Sequence, residues 1–241
     1  MTTPNSSDTA PLFAMLSAVS PVLVPYTQDR IVDELWHRPG LSMRDRAIVT
    51  LSTLVSRNAT LAYPHYFNKA LDCGVDPSEI SELLTHLAFY AGWPSAFGAA
   101  AVVKDIFATR GIGGDALPAI GPDLLPVDAA LPDEATRAAF IAETVAPVSP
   151  ALQHFTDDLL YHEVWLRPAL APRDRSIATV TALAALGQSE FFPVYLGRAI
   201  QHGVTKEEVG EALAHTAFYA GWGLAVKAAL AAKDVFAVRR N

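Results

Sequence analysis

The apolar positions of this chain recur at helical spacing. Around the octapeptide HLAFYAGW, Leu83, His86, Tyr90 and Trp93 fall at i−3, i, i+4 and i+7, so they share one face of a predicted helix. No stretch shows strict period-two alternation bounded by turn residues, and no strand is expected. Stop and start signals divide the pattern. Ser42 and Asp45 form an S-x-x-D cap ahead of MRDRAIVTLSTLVSR, which ends near Asn58. A second helix starts around Thr60 and ends before Gly74, with Pro64 in its first turns, where the missing donor invites a kink. Asp76, Pro77 and Glu79 supply a cap, an N1 proline and an N3 glutamate for the third, which runs to Gly92. A last helix follows, opened by Pro94.

The whole pattern is then written again. HLAFYAGW from His86 returns as HTAFYAGW from His215, and LWHRPGLSMRDR around Trp36 returns as VWLRPALAPRDR around Trp165. The register holds without a gap from Val19–Phe107 to Val148–Phe236. Residues 19–107 and 148–236 are therefore two copies of one helical unit. The second copy starts its helices with Pro172 and Asp174, around Ser189, and with Thr205 and Glu208, and it repeats the early proline as Pro193. Between the copies, residues 108–147 are rich in Gly, Pro and Ala. They read as a strap with one short helix, DEATRAAFIAETV, capped near Asp133. The expected fold class is all-α, two tandem helical-bundle repeats.

Composition narrows the function classes. The chain has 241 residues, 51% of them apolar, and a net charge of −7. No basic stripe is present, so a nucleic-acid partner is not expected. No segment reaches membrane-spanning length. The first ten residues read as floppy, and the absence of Lys or Arg before Arg30 argues against a secretory signal and for a cytoplasmic protein. Cys73 is the single cysteine, so there is no disulfide framework and no C-x-x-C pair.

Three constellations carry candidate chemistry. Glu82 and Glu211 precede His86 and His215 by one helical turn, which would steady the ring, fix its tautomer and raise its pKa. Tyr90, Trp93, Tyr219 and Trp222 line the same faces and are candidate substrate-binding residues. The alternative is that the histidines and aromatics are packing residues. The second constellation is Arg38, Arg44 and Arg46 with Arg167, Arg173 and Arg175. It reads as a salt-bridge network using Asp45 and Asp174, or as a carboxylate clamp in which Arg38 and Arg167 hold substrate. The third is where the copies differ: Leu61 aligns with Glu190, His65 with Val194, and Tyr66 with Tyr195. Glu190, His65, Tyr66 and Tyr195 join the two histidines as catalytic candidates. His65, His86, His202, His215 and Glu190 include metal-ligand types, but no metal spacing is recognisable, and neither a metal nor a cofactor is expected.

At LWHRPGLSMRDR, GVDPSEISELLTHLAFYAGWPSAF and their second copies, the sequence resembles the carboxymuconolactone decarboxylase family. The resemblance implies helical hairpins that assemble, commonly as a hexamer of single-domain chains; a fused tandem would rebuild that ring as a trimer. It also implies cofactor-free decarboxylation of a small lactone diacid, with a proton delivered to an extended enolate. The related branch that resembles alkylhydroperoxidase D uses a C-x-x-C pair, which the lone Cys73 excludes. The decarboxylase branch carries a glutamate and, a few residues later, a histidine in the second helix. Glu190 matches the former, but Tyr195 stands in the histidine's place. Leu61 and Tyr66 hold those positions in the first copy, with His65 one residue early. The histidines at 86 and 215 do match. The expected function is an acid–base lyase or isomerase acting on a small enolisable lactone or cyclic acid by decarboxylation, isomerisation, cyclisation or dehydration. The alternative is a degenerate family member serving as a binding or structural protein.

Overall fold

The computed structural model describes residues 10–238. The expected floppy segment lies almost wholly outside them, and its last residue, Ala10, already begins a helix. The longer helices are α1 (Ala10–Val19), α2 (Met43–Ser56), α3 (Tyr63–Asp72), α4 (Pro77–Ala91), α5 (Trp93–Arg110), α6 (Glu134–Thr144), α7 (Pro172–Leu186), α8 (Phe192–Gln201), α9 (Lys206–Ala220) and α10 (Trp222–Val238). No strand occurs among the described residues. Helices α2–α5 and α7–α10 are the two copies.

The caps form as their residues dictate. Ser42 Oγ accepts from the Asp45 amide at 3.0 Å, and reciprocal capping boxes close the starts of α4 and α9 through Asp76 with Glu79 and Thr205 with Glu208. Pro64 and Pro193 do not kink their helices. They sit within the first two positions of α3 and α8, where the backbone donor has no partner to lose. Gly92, at φ 87°, ends α4 in a conformation that a side chain would strain.

Helices α2 and α7 cross at the centre and are buried almost throughout, from Asp45 to Ser56 and from Asp174 to Ala185. A helix enclosed on all sides has no solvent face, and the run of alanines in α7 (Ala178, Ala182, Ala184, Ala185) lets neighbours approach closely. The remaining core helices pack around this pair. Leu51, Phe67, Ile80 and Leu87 belong to the same continuous core as Ile177, Phe192 and Leu196, so the two copies share one interior. Each such fully buried side chain contributes roughly 1.5–3 kcal/mol. Two π-helical stretches, Tyr26–Glu34 and Phe155–Tyr161, lead into the two Trp-containing loops. Nothing in the apolar pattern foretold them. No helix among the described residues is long and apolar enough to cross a membrane.

The shared arginines close this architecture across its pseudo-twofold. Arg44 of α2 reaches Asp174 of α7 at 2.7 Å and Glu79 of α4 at 2.5 Å. Reciprocally, Arg173 reaches Asp45 at 3.0 Å and Glu208 at 2.6 Å. The cations tolerated at these helix starts are therefore each neutralised by one carboxylate of their own copy and one of the opposite copy.

Candidate active site

Each candidate site is assembled from both copies. His215 of α9 is fully buried against the first copy, with its Nε2 2.7 Å from Thr50 Oγ1 of α2. Thr50 donates its own hydroxyl proton to the Arg46 carbonyl at 2.8 Å, so the imidazole must be the donor in that bond. This assigns the Nε2–H tautomer and leaves Nδ1 as a lone-pair acceptor. His86 of α4 repeats the arrangement with Thr179 at 2.7 Å, and Thr179 donates to the Arg175 carbonyl. Its Nδ1 faces the Arg175 guanidinium at 3.5 Å.

This geometry corrects the expected role of Glu82 and Glu211. Neither carboxylate steadies an imidazole. Glu82 is held by Arg175 at 2.7 Å and by Arg167 at 2.7 Å; Glu211 is held by Arg46 at 3.0 Å and Arg38 at 2.7 Å. Arg38 and Arg167 are thereby engaged with protein carboxylates, and the network reading, rather than the clamp, describes them. The imidazole pKa values move opposite to the expected direction. Burial and then the neighbouring Arg46 lower His215 to about 3, and burial with Arg175 and Arg198 holds His86 well below the ordinary histidine value. Both rings are neutral donors that lock a threonine in place; the Nδ1 of His86 also faces Arg175, whereas the buried Nδ1 of His215 has no hydrogen-bond partner. They are not open to a substrate.

The tyrosines extend each network outward. Trp36 Nε1 donates to the Tyr219 hydroxyl at 2.9 Å, and Tyr219 donates to the Tyr66 hydroxyl of α3 at 3.0 Å. Tyr66 therefore accepts, and its own proton remains available. It lines a cleft of about 880 Å³ together with Phe13, Trp36, Leu61, His65 and Lys69. His65 is exposed, with its ring edge-on to Tyr66 at 4.7 Å. The Lys69 ammonium stands 4.2 Å over the Trp36 ring, a cation–π placement at the cleft wall.

The other copy begins identically and ends differently. Trp165 Nε1 donates to the Tyr90 hydroxyl at 2.9 Å, but the next hydroxyl, Tyr195, meets Tyr161 at 2.8 Å. Tyr161 comes from the π-helical stretch and has Val32 as its counterpart in the first copy. Arg198, the counterpart of Lys69, is 1% exposed and lies against the rings of Tyr161 and Trp165. Asp133 binds it with two hydrogen bonds, at 2.8 and 2.9 Å. Ala130 and Leu131 of the strap pack on Tyr161 and Trp165. Asp133 had been expected to cap α6, but its side chain makes no capping bond and serves Arg198 instead.

The remaining sequence candidates lie elsewhere. Gly92 and Gly221 break the helical wheel before Trp93 and Trp222, which begin the next helices, exposed at 52% and 60%. Trp222 shares a separate surface cleft with Arg38, Tyr26 and Phe218. Glu190 is exposed beside Lys227 at 3.7 Å and lines a groove with Pro193 and Asp234, away from the Tyr195 hydroxyl network. Among the described residues, no group of three or more His, Cys, Asp or Glu side chains gathers to hold a metal. His202, for one, bonds Ser176 at 2.8 Å.

A family model for the carboxymuconolactone decarboxylase family matches residues 27–105 and again 150–234, more than half of the chain. The chain belongs to the carboxymuconolactone decarboxylase family. It is 36% identical over 84 residues to a 4-carboxymuconolactone decarboxylase from Acinetobacter baylyi, covering 35% of this chain and 63% of that one. It is 34% identical over 70 residues to a nitrosuccinic acid decarboxylase from Metarhizium robertsii, covering 29% of this chain and 49% of that one. The matched stretch thus spans less than two thirds of either relative. In this family member the repeated octapeptide supplies His86, Tyr90, His215 and Tyr219, and the repeated Trp-x-Arg-Pro loop supplies their partners. Sequence reasoning used Trp36 and Trp165 to set the repeat register but did not place them in the sites. It also missed Thr50, Thr179, Lys69, Arg198, Tyr161 and Asp133. The one available signal was that Lys69 and Arg198 are cations at the same repeat position.

Proposed function

We propose that the cleft beside Tyr66 is the active site of a cofactor-independent lyase acting on a small, enolisable carboxylic acid or lactone. The observation that carries this reading is the direction of the hydrogen-bond chain. Trp36 donates to Tyr219 and Tyr219 donates to Tyr66, so the Tyr66 proton is aimed outward for a substrate oxygen. In a decarboxylation, the bond from the carboxylate carbon to its neighbour breaks. Its electron pair passes into the adjoining carbonyl, carbon dioxide leaves, and an enolate remains. A hydrogen bond from Tyr66 stabilises the enolate oxygen as charge develops there. Protonation of the carbon then completes the reaction, and His65 at the cleft wall is the group we assign to deliver that proton. His215, Thr50 and Arg46 position the tyrosine pair from beneath. Membership of a family that includes relatives named as decarboxylases supports this chemistry.

The test uses 4-carboxymuconolactone and nitrosuccinic acid, the compounds in those relatives' names, with carbon dioxide release as the readout. Tyr66→Phe is expected to lower turnover by about 10²–10³-fold, the scale of losing one oxyanion donor. Tyr195→Phe is expected to leave turnover within a few-fold. Equal effects of the two substitutions would remove Tyr66 from its assigned place. Absence of turnover with any small enolisable acid would favour a binding protein without chemistry, a second reading that the buried, neutral histidines support. We also propose that the chain self-associates, as a trimer, through the exposed apolar side chains of α5 and α10, which include Phe97, Val226 and Leu230. Light scattering in solution checks this.

A further inference from the structure

The two networks are related by the repeat, yet one ends in a cleft and the other in protein. At the second, two groups of the chain stand where the first offers space. The Tyr161 hydroxyl meets Tyr195 at 2.8 Å, and the Asp133 carboxylate meets Arg198 through two bonds. At the first, Val32 replaces Tyr161, and Lys69 replaces Arg198. Lys69 makes no ion pair among the described residues and is half-buried at the cleft wall over Trp36.

We propose that Asp133 and Tyr161 are a built-in stand-in for ligand, that Lys69 is the residue of the open cleft that selects a carboxylate, and that each chain consequently binds one ligand molecule. The inference rests on the reading of the cleft as a ligand site, and it adds the specificity-determining residue and the stoichiometry. The physical argument is one of equivalent positions. A cation at this place in the fold, beside a Trp ring and a Tyr, is paired in one copy with a carboxylate, and the neighbouring Tyr195 hydroxyl is taken up by the Tyr161 hydroxyl. Among the described residues, the same cation, Trp and Tyr meet the cleft without those two partners. Lys69 is a point charge on a flexible stem, so it tolerates several carboxylate poses, whereas the planar Arg198 fork fits the fixed Asp133 bidentately.

The test is calorimetric titration of the full chain with benzoate, 4-hydroxybenzoate and the uncharged isostere benzamide. Benzoate and its 4-hydroxy derivative are expected to bind at one equivalent per chain, with benzamide at least about tenfold weaker. Lys69→Met is expected to weaken benzoate by about tenfold or more, and Lys69→Arg to retain it within a few-fold. A Lys227→Met control should leave binding unchanged. Benzoate affinity that is indifferent to Lys69→Met, or equal to that of benzamide, overturns the assignment. Two equivalents per chain overturn the stand-in, and no binding up to about 10 mM overturns both. The comparison of benzoate with benzamide on the unmodified chain keeps the test decisive should Lys69→Met fold poorly. A chain that binds benzoate through Lys69 yet releases no carbon dioxide from any acid would lose the lyase reading and keep this one.

Discussion

Asp133 grips the Arg198 guanidinium with two hydrogen bonds of 2.8 and 2.9 Å, tying the strap between the repeats to a cation that is 1% exposed. A buried guanidinium left without its carboxylate loses far more than the pair contributes in net terms. Asp133 itself is one-fifth exposed, which places Asp133→Ala at the low end of that range, a loss of about 3 kcal/mol in urea unfolding. Acetate should restore part of the midpoint by entering the vacated space. A loss under about 0.5 kcal/mol would mean that water serves Arg198 equally well.

The reciprocal pairs Arg44–Asp174 and Arg173–Asp45 join α2 and α7 near the pseudo-twofold. Both arginines are nearly one-third exposed, so solvent screening limits each pair. A double-mutant cycle on Arg44→Met and Asp174→Asn is expected to return a coupling of about 1 kcal/mol, shrinking at high salt. Zero coupling at low salt would show that the pair aligns the helices without stabilising them.

Stability should fall as the pH drops below the ordinary histidine value. His215 titrates near 6.5 when unfolded and near 3 when folded, and His86 is shifted the same way. The unfolded chain therefore binds more protons in that interval, and the stabilisation present above about pH 6.5 declines as the pH falls toward 3. His215 contributes a slope approaching about 1.4 kcal/mol per pH unit below pH 6.5, about 2 kcal/mol by pH 5, and His86 adds to the loss in the same direction. Glu208 and Glu211, held below their usual range in part by arginine partners, add to the loss only below about pH 4.5. Denaturant midpoints across this range check the slope. His215→Gln should make the slope shallower.

Thr50 and Thr179 do the same structural task under His215 and His86, at 2.7 Å in each case. Replacing either by valine leaves a buried Nε2–H without an acceptor and should cost about 1–3 kcal/mol. The effects on turnover should differ. Thr50→Val loosens Tyr219 and, through it, Tyr66, so kcat should drop with little change in KM. Thr179→Val should destabilise the chain and leave kcat near its original value. Identical kinetic effects would show that both networks serve catalysis.

The sequence by itself determined the elements and their duplication. Caps such as Ser42 with Asp45 and Thr205 with Glu208 act over a few residues, and apolar spacing is local, so both were legible without coordinates. The resemblance carried by the octapeptide and the Arg-rich loop fixed the family for the same reason. Tertiary structure decided what those residues do. Glu82 is one turn from His86 along α4, yet its charge is taken by Arg175 from the other repeat, because two guanidinium groups offer a buried carboxylate more than a neutral ring can. Tyr66 and Tyr195 look equivalent in the chain. Only packing shows that Tyr161 and Asp133 close one while the other faces a cleft. A side chain's partner across a core depends on contacts between residues far apart in sequence, and no local pattern records them.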